Sequence, residues 1–148
     1  MTEILFVTAL AVVAIYDIKK KEIPDRYVLF IVLLAVLDAL TSAEWSFTSR
    51  LLGAVCVSVP LLCIAVAVKG AFGGGDVKLM AAGGLFLGWR LILTSAALAF
   101  LAAGGYVAVL LCLKCVTKKT EIAFGPFLCM GMLISLLWGE EIVLWYIQ

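Results

Sequence analysis

The chain has 148 residues, 66% of them hydrophobic and 14% charged, with a mean hydropathy of +1.22 and no histidine. Ordinary soluble domains are about 45 to 50% apolar and about 25% charged, so this composition belongs in a bilayer rather than in water. Eleven basic against ten acidic residues show no basic excess of the kind nucleic acid selects, and the missing histidine removes His-based nucleophile pairs, His-ligated zinc and histidine proton relays.

A transmembrane helix needs about 20 mostly apolar residues, fewer where its ends are recessed in protein. Spans are predicted at Ile4–Tyr16, Tyr27–Leu40, Leu51–Val68, Leu79–Gly88, Leu91–Leu113 and Ile122 to about Trp138, with Ile142–Ile147 extending or following the last. Residues 79–113 carry a single charge, Arg90, yet are too many for one ordinary crossing, so Gly88-Trp89-Arg90 is read as a boundary between two spans. The fold class that follows is all-α: a polytopic membrane protein of six transmembrane helices, forming one domain over residues 1–148, with no convincing internal repeat.

Charge orients it. Lys19, Lys20, Lys21 and Arg26 follow span one, Lys69 and Lys78 follow span three, and Lys114, Lys118 and Lys119 follow span five, which is nine of the eleven basic residues. Basic loops favour the cytoplasmic side, and Trp collects at interfaces; Trp45, Trp89, Trp138 and Trp145 all fall at the opposite ends. Both termini are therefore expected outside. Met1–Ile4 lacks the basic start of a secretory signal, so the first span is expected to be retained.

Of the ten acids, Glu3, Asp38, Glu44, Glu140 and Glu141 lie at outer ends and read as solvated caps, while Glu22, Asp25 and Glu121 sit among loop lysines as surface ion-pair partners. Asp17 and Asp76 remain. From Ile4 to Asp17 is about 20 Å of helix, and from Asp76 to Gly88 about the same, short of the roughly 30 Å hydrocarbon core. Both carboxylates would then lie below the inner surface at similar depth, where an ionisable side chain is a functional candidate. The plainer reading is a pair of helix-end residues reaching for water.

Two carboxylates about 3 Å apart in a low-dielectric site cannot both ionise and share one proton, one acting as general base and the other as general acid. Such a pair activates water and polarises a carbonyl for amide hydrolysis with no covalent intermediate, metal or cofactor. Gly73, Gly74 and Gly75, directly before Asp76, allow backbone conformations and close approaches that other residues prevent, or form a flexible turn. Residues 73–78 lack the spacing and the Ser or Thr of a phosphate loop.

Three segments together carry a resemblance: Tyr16-Asp17 followed by Ile23-Pro24-Asp25, then Gly73-Gly74-Gly75-Asp76-Val77-Lys78, then Phe124-Gly125-Pro126-Phe127-Leu128. In this order the sequence resembles the type IV prepilin peptidases, membrane aspartyl proteases of the Gly-x-Gly-Asp kind, over almost its whole length. Presenilin-like proteases share the Gly-x-Gly-Asp logic, but their Pro-Ala-Leu motif is missing here. The resemblance implies that Asp17 and Asp76 are the catalytic pair. It also implies a prepilin or pseudopilin precursor as substrate, cut after a glycine between a short basic leader and a hydrophobic helix, at the cytoplasmic face of the inner membrane. It further suggests that Phe124–Leu128 line the way in for an apolar helix. Many bacterial members carry a cytoplasmic segment near the N-terminus linked to N-methylation; with no room for it before Ile4, a peptidase-only form is expected.

Lesser features have plainer readings beside the functional ones. Lys78 either contacts substrate or the acid pair, or is an ordinary inside-facing lysine. Pro24 and Pro126 are expected at helix starts, where proline loses no hydrogen bond. Cys112 and Cys115 form one Cys-x-x-Cys without the two further ligands zinc needs, and Cys56, Cys63 and Cys129 read as small hydrophobes. Gly84-x-x-x-Gly88 and Gly104-Gly105 are expected at close helix contacts. Two other readings stay open: a small proton-coupled transporter using the same buried carboxylates, and an assembly subunit in which both acids are merely terminal.

Overall fold

The structure, a computed structural model, describes residues 1–41, 46–68, 73–113 and 123–147. Expectations resting on Glu44, Trp45, Lys69, Lys114, Cys115, Lys118, Lys119, Glu121 and Ile122 lie outside the described residues.

The first helix, α1 (Thr2–Lys20), runs past the predicted Tyr16 because Asp17 and the lysines continue the same backbone bonding. Lys19 and Lys20 occupy its last turn, where cations complement the negative end of the helix dipole. It stops at Lys21, whose left-handed φ of 53° turns its N–H onto the Asp17 carbonyl at 2.7 Å. Helix α2 (Asp25–Thr41) begins directly after Pro24, whose carbonyl accepts from the Tyr27 N–H at 3.1 Å.

The third predicted span is interrupted. It forms α3 (Phe47–Cys56) and α4 (Ser58–Ala67), separated at Val57. Pro60 has no N–H to donate to the Cys56 carbonyl, and its ring crowds that carbonyl. The Ser58 hydroxyl turns back onto the Ala54 carbonyl within the same break.

Helix α5 (Gly74–Cys112) is continuous in chain but not in direction: Gly88 adopts φ 76° and ψ 173°, dividing it into arms 74–87 and 89–112. The predicted boundary at Gly88-Trp89-Arg90 falls on this residue. Helix α6 (Gly125–Ile147) starts with Pro126 in its first turn and runs on to Ile147, so the final apolar stretch extends the last helix. The architecture is all-helical among the described residues. Three stretches are long and apolar enough to cross a membrane: Phe47–Ala67, Gly74–Cys112 and Gly125–Trp145.

Helix α5 is central, touching α2, α3, α4 and α6, while α1 packs on α2 and α6. Phe6, Ile31, Met80, Ile92, Leu128 and Met132 are fully buried between them. Phe6 stacks on Phe86 with ring centroids 4.1 Å apart. Large apolar side chains including Ile4, Leu29, Leu40, Val66 and Leu101 face outward, an arrangement suited to lipid and not to water.

At the end of the molecule holding the Gly88 break, Arg50 is 3% exposed. Its guanidinium pairs with Asp38 at 2.8 Å and donates to the Leu85 and Phe86 carbonyls at 3.3 and 3.4 Å. Those carbonyls belong to the last turn before the break, where helical partners run out. Thr2 donates to the other Asp38 oxygen at 2.8 Å. Asp38, 13% exposed, is thus the partly buried partner of an ion pair, correcting the expectation of a solvated cap: in a bilayer a carboxylate near a guanidinium gains more by pairing than by reaching water. Gly84 meets the expectation of close packing, since a Cβ there would strike the Gly53 carbonyl of α3. Gly104 and Gly105 do not, since a Cβ at either would meet nothing within 4 Å.

Candidate active site

The opposite end of the bundle brings the three motif segments together. Asp17 lies in the last turn of α1, at the negative end of its own helix dipole, and Asp76 lies in the first turn of α5, at the positive end. Both are buried, at 5% and 8% exposure. They lie within electrostatic reach of one another.

Each carboxylate is held by a glycine amide. Asp76 occupies the third position of α5 and accepts from the Gly73 N–H at 3.2 Å, the return bond of a capping box. Asp17 accepts from the Gly125 N–H at 3.0 Å. That amide is one of the donors left over at the start of α6, so the N-terminal end of one helix supplies what the C-terminal end of α1 withholds. The contact requires glycine: a Cβ at position 125 would lie 2.5 Å from Asp17 Oδ2 and 2.9 Å from its Cγ.

The glycines before Asp76 have separate roles. A Cβ at Gly75 would sit 2.9 Å from the Ile23 Cβ, so the Ile23-Pro24 turn rests directly on the start of α5. Gly73 supplies its amide at an ordinary φ of −73°. A Cβ at Gly74 would meet nothing within 4 Å. Among the described residues the positive-φ glycine is Gly88, at the far end of the same arm; for Gly73–Gly75, close approach and not unusual backbone is what the structure uses.

Pro24 and Pro126 sit at helix starts, as expected. Phe124 precedes α6 and packs its ring 5.5 Å from that of Phe100. Tyr16 lies 5.7 Å from Tyr27, with the Lys20 ammonium 5.1 Å from the Tyr16 ring centre. Lys78 does not turn inward: its Nζ pairs with Asp25 Oδ1 at 2.7 Å, both side chains more than half exposed. That agrees with Asp25 as a surface ion-pair partner and leaves Lys78 at the rim.

One neighbour escaped the sequence reading. Cys129 is 4% exposed and lies within electrostatic reach of both aspartates. A signal existed, because Cys129 follows Gly125 by four residues and shares its helix face. It becomes legible only once α6 is known to begin at Gly125.

The sequence model of the type IV leader peptidase family matches residues 4–109. The prepilin leader peptidase/N-methyltransferase of Bacillus subtilis (strain 168) is 30% identical over 145 residues, 98% of this chain and 58% of that protein. The protein of the same name from Aeromonas hydrophila is 30% identical over 99% of this chain and 52% of its own length. That from Pseudomonas aeruginosa is 29% identical over 98% and 52%. The chain thus spans about half the length of the curated relatives it matches. No solved structure matches it significantly. On the extent of the family match, and with three apolar stretches able to cross a bilayer, this chain is a membrane protein and belongs to the type IV leader peptidase family.

Proposed function

We propose that this chain is a membrane-embedded aspartic endopeptidase that removes the leader from type IV prepilin-like precursors, with Asp17 and Asp76 as its catalytic pair. The reading takes up the peptidase half of the relatives' name. The observation that carries it is that two buried acids from distant parts of the chain lie at the same end of the bundle within electrostatic reach of one another, each oriented by a glycine amide. An acid merely reaching for water would be exposed, whereas both of these are buried.

The pair shares one proton. The ionised carboxylate draws a proton from water as the water attacks the scissile carbonyl, and the protonated one hydrogen-bonds to that carbonyl; the proton then passes to the leaving amine. The two titrations belong to the pair and not to either residue. Gly73 and Gly125 fix the carboxylates. Gly74, Gly75, Pro24, Phe124 and Pro126 shape the mouth, where a basic leader crosses while the precursor's hydrophobic helix lies beside the spans.

In the bilayer, α1, α2, the broken α3–α4 unit, the two arms of α5, and α6 make six crossings with both termini outside. Lys19, Lys20, Arg26 and Lys78 gather at the aspartate end, and Trp89 and Trp138 stand at the other with Arg90 and Glu140. This favours a cytoplasmic active site in the inner membrane.

The test is co-expression with leader-bearing precursors from the same genome. Asp17→Asn and Asp76→Asn are each expected to leave insertion intact and eliminate the mobility shift of the processed precursor. Robust processing by either variant, or pH-driven solute flux in vesicles without a peptide product, would overturn the assignment.

A further inference from the structure

The rim of the site is basic. Lys19, Lys20, Lys21, Arg26 and Lys78 stand there against Glu22 and Asp25 among the described residues, which would repel a positively charged segment. Asp25 is the acid placed to offset this. It directly follows Ile23 and Pro24, and Ile23 lies against Gly75 immediately before Asp76. Its carboxylate is 75% exposed, yet it is held by Lys78 across the gap between the α1–α2 turn and the start of α5. A charge pair in such exposure has almost no net stability, because water solvates either ion nearly as well. Its partners are therefore exchangeable at little cost.

We propose that Asp25 is the residue that recognises the basic leader, a lysine or arginine of the arriving precursor replacing Lys78 on its carboxylate. The inference rests on the peptidase reading and gives it a specificity determinant. With no substrate bound, Lys78 sits opposite Asp25 and offsets its charge. A leader cation takes over the same oxygen, and the displaced Lys78 ammonium, 56% exposed already, moves into solvent. Opposite charge at the rim thus selects the leader while the scissile bond is brought towards Asp17 and Asp76. A neutral leader has no cation to displace Lys78 from the carboxylate, and an acidic leader is drawn to the rim lysines instead of to Asp25.

The experiment is a charge exchange between enzyme and substrate. Two precursors are prepared that differ only in the leader, one with its lysines and arginines intact and one with them replaced by glutamate, and their cleavage rates are compared in membranes containing the native chain, D25K or K78E. The native chain is expected to prefer the basic leader. D25K is expected to lower that preference at least about tenfold, mainly through KM, and to cleave the acidic leader faster than the native chain does. K78E, which removes the competing cation, is expected to raise the preference. The ratio of the two substrates is read within each variant, so a variant that folds poorly lowers both rates and leaves the ratio interpretable. An unchanged ratio in D25K and K78E overturns the inference while leaving the peptidase reading standing. Failure of the native chain to cut either precursor overturns the peptidase reading and the inference with it.

Discussion

The contact between Gly125 and Asp17 lends itself to a quantitative test, because it joins the third motif to the first through one amide and leaves no room for a side chain. In Gly125→Ala the new Cβ would start 2.5 Å from Asp17 Oδ2, whereas ordinary contacts begin at 3.4 Å. The carboxylate or the start of α6 must therefore yield by about 0.9 Å. Neither moves freely: Asp17 is packed in the last turn of α1, and Leu128, one turn into α6, is fully buried. A misplacement of about 1 Å at a reacting group costs on the order of 100-fold in rate. If Asp17 is catalytic as proposed, Gly125→Ala is expected to slow precursor cleavage by about that factor, with kcat falling more than KM rises, since on that reading the leader and hydrophobic helix bind away from Gly125. Gly125→Val should be worse. The assay is a time course of leader removal in membranes, with thermal unfolding in detergent run alongside to separate misalignment from loss of fold. Cleavage by Gly125→Ala at the native rate would refute the reasoning, because the structure leaves the Cβ nowhere to go.

The remaining predictions concern the scaffold that holds this arrangement. Arg50→Ala leaves Asp38 and the Leu85 and Phe86 carbonyls without their guanidinium, and removing one member of a buried pair typically costs about 3 to 5 kcal/mol; a large drop in thermal stability is expected, and a change within experimental error would sink the buried-pair account. Gly88→Ala forces a side chain into a conformation essentially reserved for glycine, so a loss of about 1 to 3 kcal/mol is expected by the same measurement. Gly53→Ala should separate α3 from α5, since its Cβ would lie 2.7 Å from the Gly88 carbonyl carbon; weaker disulfide trapping between cysteines introduced on the two helices is the readout. Lys78→Gln, by contrast, removes an exposed pair worth about 0 to 1 kcal/mol, so its unfolding temperature should barely move.

Much of the fold was legible because a bilayer imposes a simple rule on a chain. Apolar runs of a given length must be helical, and their boundaries are marked by charge, proline and glycine. That is why α1, α2 and α6 lie close to the predicted spans and why Gly88 was found as a boundary from one isolated arginine and the length of its run. The interruption at Val57 was missed although Pro60 was in plain view, since an apolar run hides a break that leaves hydropathy untouched. Asp38 was misread for a related reason. Pairing with Arg50 depends on where α2 and α3 deliver their ends, and neither hydropathy nor local charge carries that information.

The candidate site divides along the same line. Sequence alone singled out Asp17 and Asp76 as acids expected below the membrane surface, and both are buried, a placement that is costly for an ionisable group wherever it sits along the chain. It also marked the glycines beside Asp76 and the Phe124-Gly125-Pro126 segment through their resemblance to a family. Only the tertiary structure decided that Gly125 donates to Asp17, that Gly75 rests on Ile23 and that Lys78 faces Asp25. Each of these is a contact between helices, fixed by how their surfaces interlock over the whole bundle. A residue's own neighbours in sequence determine what it costs to bury, but which group meets it there is settled by segments far away along the chain.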